Sequence, residues 1–322
     1  MPSEFDLIAR FFTRPSRHAV LGVGDDAALI EPTPGRQLAI SADMLVAGRH
    51  FHADADPETL GHKALAVNLS DMAAMGAVPR WALLALALPE ADEAWLAAFS
   101  RGFLDLAEAH GVELIGGDTT RGPLNLSVTI LGEVEPGKAL RRDAAQVGDD
   151  IWVSGELGGA ALGLRHLSGA GLLDSRDALD CLERLHRPQP RVALGRALAG
   201  LARAAIDISD GLLADLGHIL ERSGVGARLE LARIPNAPAL ARHADLIDDC
   251  ALNGGDDYEL CFTAPGTRRE AVLDAARAVA IPVSLVGEIV HAGGLTVVDA
   301  HGAARNIQAR GYDHFGPGSP PV

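Results

Sequence analysis

The sequence predicts a two-domain enzyme of mixed helices and strands, α/β in the N-terminal part and α+β in the C-terminal part. Three observations carry that expectation. The chain has 322 residues, more than the commonest single-domain size. Its composition is 48% hydrophobic, with 36 glycines and only 4% aromatic residues, which suits a globular α/β or α+β protein and not a disordered or fibrous one. Strand-like and helix-like runs alternate on both sides of a polar, turn-rich stretch over 136–150. The domain boundary is placed there, giving residues 1–137 and 138–322.

The elements follow in order. Ser3 is positioned to cap a short helix over 3–12, with Leu7, Ile8, Phe11 and Phe12 as its apolar side. Residues 20–23 lead into a Gly24-Asp25-Asp26 turn, and 37–41 read as a strand ending at Asp43. Asp56-Pro57 is a helix start, and that helix runs to about Met75 and stops at Gly76. Asn68 and Asp71, three residues apart, share one of its faces. Residues 81–88 form a strand, 92–110 a helix ended by Gly111, and 113–115 a short strand feeding Gly116-Gly117-Asp118. Alternation over 124–134 predicts another strand. In the second half, 151–154 is a strand, and 157–167 opens on glycines and becomes a helix. Residues 204–208 form a strand that meets Ser209-Asp210-Gly211 before a helix to about Arg222. Gly254-Gly255-Asp256-Asp257 precedes a strand over 258–263.

The formal net charge is −15, so a nucleic-acid partner is excluded, because backbone binding needs a positive surface. Only Lys63 and Lys138 represent lysine. Cys181, Cys250 and Cys261 form no CxxC pair and no zinc spacing, and are expected to be buried thiols. No basic run followed by an apolar stretch opens the chain, and no segment has the ~18 apolar residues of a membrane span. A cytoplasmic protein without a membrane partner is expected.

Six acidic segments share one kind of context: Asp25-Asp26, Asp43, Asp71, Asp118, Asp207 with Asp210, and Asp256-Asp257. Each is wrapped in small or apolar residues, and several follow strand-like runs, where α/β folds open a crevice. A partly buried carboxylate is costly unless paired or bound to metal. With two lysines in the chain, and Arg121 and Arg142 the arginines near these segments, divalent cations are the simplest counter-charge. Oxygen ligands favour Mg²⁺, Mn²⁺ or Ca²⁺ over zinc. A lone Gly-Asp is ordinarily a turn, so the weight lies in the coincidence of all six. No EF-hand spacing occurs, no P-loop Gly-Lys-Ser/Thr occurs, and Gly137-Lys138 is followed by Ala139. Metal-bridged carboxylates suit phosphoryl transfer, which needs alignment and charge neutralisation above all. A metal phosphatase is the rival on residues alone, with His50-Phe51-His52 as an H-x-H pair that could chelate if it lay on a strand.

In order along the chain, GVGDDAAL, ISADMLVAGRHF, KALAVNLSDMAAMGA, LIGGDTTRG, RRDAAQVGD, AIDISDGLLADLGHI, NGGDDYELCFT and GYDHF resemble the thiamine-monophosphate kinase family, within the aminoimidazole ribonucleotide synthetase-like superfamily. The match spans nearly the whole chain, from about Phe5 to Phe315. The resemblance implies the two-domain fold of that superfamily, an N-terminal sheet paired across a homodimer, and transfer of phosphate from ATP to thiamine monophosphate. It implies several Mg²⁺ ions on Asp26, Ser41, Ala42, Asp43, Asp71, Asp118, Asp207 and Asp210, with Asp43, Asp71 and Asp118 as the catalytic cradle. ATP would meet Gly117, Asp118, Arg142 and Ser209, and the thiamine substrate His50, Asp256 and Tyr312. An ATP-dependent synthetase of the same superfamily is the alternative. The sequence departs from the family pattern at Ala42, which offers a metal only its carbonyl, and at Asp256, where the family often has Glu.

Overall fold

The computed structural model describes residues 3–170, 173–291 and 293–311. The chain divides into two compact units: residues 3–72 with 77–137, and 73–76 with the described residues from Lys138 onward.

The first unit opens on α1 (Glu4–Leu7), which continues as a π-helical turn, Ile8–Phe12. Ser3 caps it in a reciprocal box with Asp6, and Leu7, Phe11 and Phe12 are buried. A two-stranded ribbon, β1 (Ala19–Leu21) and β2 (Leu29–Ile30), precedes the main sheet. That sheet is built from β3 (Gln37–Val46), β4 (Val78–Leu88), β5 (Glu113–Arg121) and β6 (Asn125–Val134), in the order β3-β6-β4-β5. β6 pairs antiparallel with β3 and with β4, whereas β4 and β5 are parallel. The parallel pair requires a crossover. It is α3 (Glu93–His110), capped by Asp92 and closed by Gly111 in the left-handed conformation. α2 (Pro57–Ala74) begins at Asp56, whose Oδ1 accepts the Thr59 N–H. α2 and α3 cross at backbone contact, because a Cβ on Gly61 would lie 2.1 Å from the Phe99 carbonyl oxygen.

The second unit holds a seven-stranded sheet: β7 (Asp149–Ser154), β8 (Ala204–Ile208), β9 (Gly226–Glu230), β10 (Glu259–Pro265), β11 (Val283–Val290), β12 (Leu295–Val298) and β13 (Ala304–Arg305). The order is β13-β12-β9-β11-β7-β10-β8, antiparallel except for β12 beside β9. Its helices are α4 (Gly159–Arg165), α5 (Ser175–His186), α6 (Val192–Leu198), α7 (Leu212–Ser223) and α8 (Arg269–Ala278). Ile151, Val153, Ile206 and Ile208 of the sheet share one core with Leu212, Leu216 and Ile219 of α7. All three cysteines are buried and free, and burial pushes the Cys181 and Cys250 thiols up to about 11.

Candidate active site

In the first unit the site is set by alternation along β3. Ala39 and Leu45 are buried, Ser41 and Asp43 are half-buried on the same face, and Leu38, Ile40, Ala42 and Met44 are exposed on the other. α2 meets the inner face. Ser41 Oγ donates to Asp71 Oδ2, and the Asp43 N–H donates to Asn68 Oδ1 at 3.2 Å. Asn68 Nδ2 donates to the Ala64 carbonyl at 3.0 Å, which fixes its amide. The three-residue spacing of Asn68 and Asp71 therefore places both against the strand that carries Ser41 and Asp43.

Asp118 is exposed on β5. Gly117 precedes it at φ 144°, and a Cβ there would lie 1.8 Å from the Leu84 carbonyl oxygen, so only glycine lets β5 run along β4 at this point. Asp26 is exposed in the turn after β1. The expectation that these carboxylates stand at strand ends needs correction. β3 continues past Asp43 to Val46 and β5 past Asp118 to Arg121, because β6 and β4 supply unbroken backbone partners. Both aspartates thus project from within strands.

His50-Phe51-His52 lies in a turn after β3, not on a strand. His50 Nδ1 accepts the Val46 N–H at 3.0 Å, so that nitrogen serves the turn, and the strand on which the H-x-H pair was expected to chelate is not there.

In the second unit Asp207 is buried within β8, and Ser209 and Asp210 occupy the turn between β8 and α7. One carboxylate organises that turn. Asp215, 2% exposed in the first turn of α7, accepts the N–H groups of Ser209, Asp210 and Gly211 on a single oxygen at 3.0, 3.0 and 3.1 Å. Burial pushes its carboxyl up to about 7 in spite of those bonds. Asp256 lies in the neighbouring loop, with Oδ1 accepting the Tyr258 hydroxyl at 3.0 Å. Both residues have positive φ, 66° and 50°, a conformation that non-glycine residues adopt at a cost. Asp257 turns away and accepts the Gly158 N–H with both oxygens, and burial drives its carboxyl well above the ordinary range. Arg142 is exposed, and its carbonyl accepts the Ser223 hydroxyl at 2.9 Å. The Ala145 N–H donates to the same hydroxyl, so the end of α7 pins the Arg142 loop. Tyr312 falls outside the described residues.

Among the described residues, no three His, Cys, Asp or Glu side chains form a ready-made cage for a metal. The donor set still fits magnesium. Ser41, Asp43 and Asp71 offer only oxygen, and Mg²⁺ is usually held by one or two carboxylates while water and substrate phosphates complete its shell.

Two family models match the chain: AIR synthase related protein, N-terminal domain, over residues 24–134, and the corresponding C-terminal domain over 146–300. The thiamine-monophosphate kinase of Escherichia coli K12 is 48% identical over 319 residues, covering 97% of this chain and 98% of that one. The chain belongs to the thiamine-monophosphate kinase family. The crystal structure of the family member from Stenotrophomonas maltophilia K279a superposes with a TM-score of 0.84 at 50% identity, over 89% of this chain and 92% of that one. AaThiL complexed with AMPPCP and TMP gives 0.78 at 30% identity, over 88% and 89%. The two-domain superfamily fold expected from the motifs is thereby established.

The motifs of this kinase family led to the aspartates but not to the residues that hold them. The sequence reading gave Asp215, Tyr258 and Ser223 no role at the site. The signal for Asp215 was present, since an acidic residue in the first turn of a helix that follows Ser-Asp-Gly is placed to fold back on that turn's N–H groups.

Proposed function

We propose that this chain transfers the terminal phosphoryl group of ATP to thiamine monophosphate, giving thiamine diphosphate and ADP, by direct in-line displacement. The pairing of β3 with α2, which aligns Ser41, Asp43 and Asp71, carries this reading for a member of this family. Asp26, Ser41, the Ala42 carbonyl, Asp43, Asp71, Asp118, Asp207 and Asp210 would hold magnesium, with Asp43, Asp71 and Asp118 central. When bound, the ions lessen repulsion between the two phosphate chains and stabilise charge in the transition state.

The chain's own residues do the positioning. Gly117 brings backbone close to the nucleotide beside Asp118. Ser209 and the Arg142 guanidinium contact ATP, Arg142 as a fork on phosphate oxygens. His50, Asp256 and Tyr312 take the thiamine substrate. A tyrosine ring over its cationic thiazolium would contribute about 0.5–2 kcal/mol. No side chain needs to act as general base. The acceptor is a phosphate monoester with a second pKa of about 6, already largely dianionic at neutral pH.

We assign subunit pairing, the central magnesium ligands and the Gly117–Asp118 contact with ATP to residues 1–137. The partner is a second copy of the chain, meeting the outer face of the sheet where Leu38, Ile40 and Met44 stand exposed at 39%, 63% and 55%. Ile40→Asp should convert a dimer to a monomer in light scattering, and a wild-type monomer would end this assignment.

The kinase reading is tested by ADP release with thiamine monophosphate, thiamine or no acceptor, with and without Mg²⁺. ADP should form only with thiamine monophosphate and Mg²⁺, and chelation should abolish it reversibly. Inorganic phosphate without ADP would indicate a phosphatase, and inertness toward thiamine monophosphate a synthetase relative.

A further inference from the structure

We infer that Asp215 is a positioning residue for the transfer, joining the nucleotide turn to the substrate loop, an inference that rests on the kinase reading above. The Ser209–Gly211 turn is held on one side by the Asp215 carboxylate, through three consecutive N–H groups. Successive N–H groups converging on one oxygen form a nest that fixes each peptide plane. Asp215 also donates its own N–H to the Gly211 carbonyl at 3.0 Å, so the turn and the first turn of α7 close on each other.

On its other side the strand end and turn are bonded to the substrate loop. The Asp256 N–H donates to the Ser209 carbonyl at 2.9 Å, and the Tyr258 N–H to the Ile208 carbonyl at 2.8 Å. Gly255 permits the approach, because a Cβ there would lie 2.3 Å from the Ser209 oxygen. The Tyr258 hydroxyl then holds Asp256 Oδ1. One peptide, Ser209–Asp210, thus has its N–H on Asp215 and the carbonyl before it on Asp256. A shift of this peptide moves Asp210 and Asp256 together. Asp215 touches neither substrate, and acts by fixing the distance between a proposed metal ligand and a proposed thiamine contact.

Asp215→Ala removes the acceptor of three N–H groups, while Asp215→Asn keeps an oxygen at the same place. In the alanine variant, kcat/KM for thiamine monophosphate should fall about 100-fold and the half-saturating Mg²⁺ concentration should rise in parallel. Asp215→Asn should recover most of both. Tyr258→Phe should raise KM for thiamine monophosphate alone and leave the magnesium requirement unchanged. Rates are normalised to folded protein by titrating bound ATP analogue. A purely structural Asp215 would lower the folded fraction and leave KM and magnesium dependence at wild-type values. That outcome, in the alanine variant or in Asp215→Leu (which likewise offers no acceptor) if the former does not fold, overturns the inference. Wild-type protein that releases no ADP with thiamine monophosphate would instead overturn the kinase reading, a separate failure.

Discussion

The two units use carboxylates in opposite ways. In the first, Asp43 and Asp71 are half-buried where β3 meets α2, and Asp118 is exposed on β5. In the second, Asp215 and Glu259 are buried, with one oxygen of Asp215 and both of Glu259 accepting from protein donors. Glu259 accepts from Ser154 Oγ and, through both oxygens, from the Arg191 guanidinium. The first arrangement keeps carboxylates at least partly accessible to solvent. The second spends charge on holding backbone, so that neighbours such as Asp210 and Asp256 are presented at fixed places. Carboxylates of one type thus take different parts according to their surroundings.

Substitutions can break this contrast from its strongest point downward. Asp71→Asn should lower kcat by about 10³-fold or more at ordinary Mg²⁺ with little change in melting temperature, since it removes charge from a proposed magnesium ligand. Near-normal turnover would remove Asp71 from the cradle. Glu259→Ala should do the reverse. Leaving the Arg191 guanidinium unpaired should cost about 3–5 kcal/mol in urea unfolding, with catalysis retained in the protein that folds. The smallest effect concerns Glu113, whose carboxylate accepts the N–H groups of Arg17, His18 and Ala19 and the Ser16 hydroxyl. Burial raises its carboxyl, but these bonds together outweigh burial and hold it below the ordinary range. A depressed folded pKa stabilises above the unfolded value and is lost as pH falls through the folded one. Glu113→Gln should therefore melt lower than wild type at neutral pH, and the gap should close in acid.

Much of the first unit was legible. Asp56-Pro57, Asp92 and Gly111 marked helix ends because capping is local chemistry. The acidic motifs pointed to Ser41, Asp43 and Asp71, which the structure brings together where β3 meets α2. The extent of β3 and β5 was not legible. Gly116-Gly117 reads locally as a turn, and only pairing with β4, a partner remote in sequence, makes it strand. In the second unit none of α5, α6, α8, β9, β11, β12 and β13 is expected from the sequence. Asp174, which caps α5, was a usable signal that went unread. The roles of Asp215 and Tyr258 depend on two loops more than forty residues apart meeting in space, which no window of sequence displays.

One strand of the N-terminal sheet has a further consequence. β3 gives its odd-numbered side chains from Ala39 to Leu45 to the helix and its even-numbered ones from Leu38 to Met44 to the outside. A slip of a single residue against β6 would exchange the two sets, turning Asp43 outward and Met44 toward α2. Ten uninterrupted rungs, from Gln37 opposite Val134 to Val46 opposite Asn125, oppose such a slip. The row that carries Ser41 and Asp43 and the apolar outer row are therefore linked: a one-residue shift of the whole ladder would displace both at once.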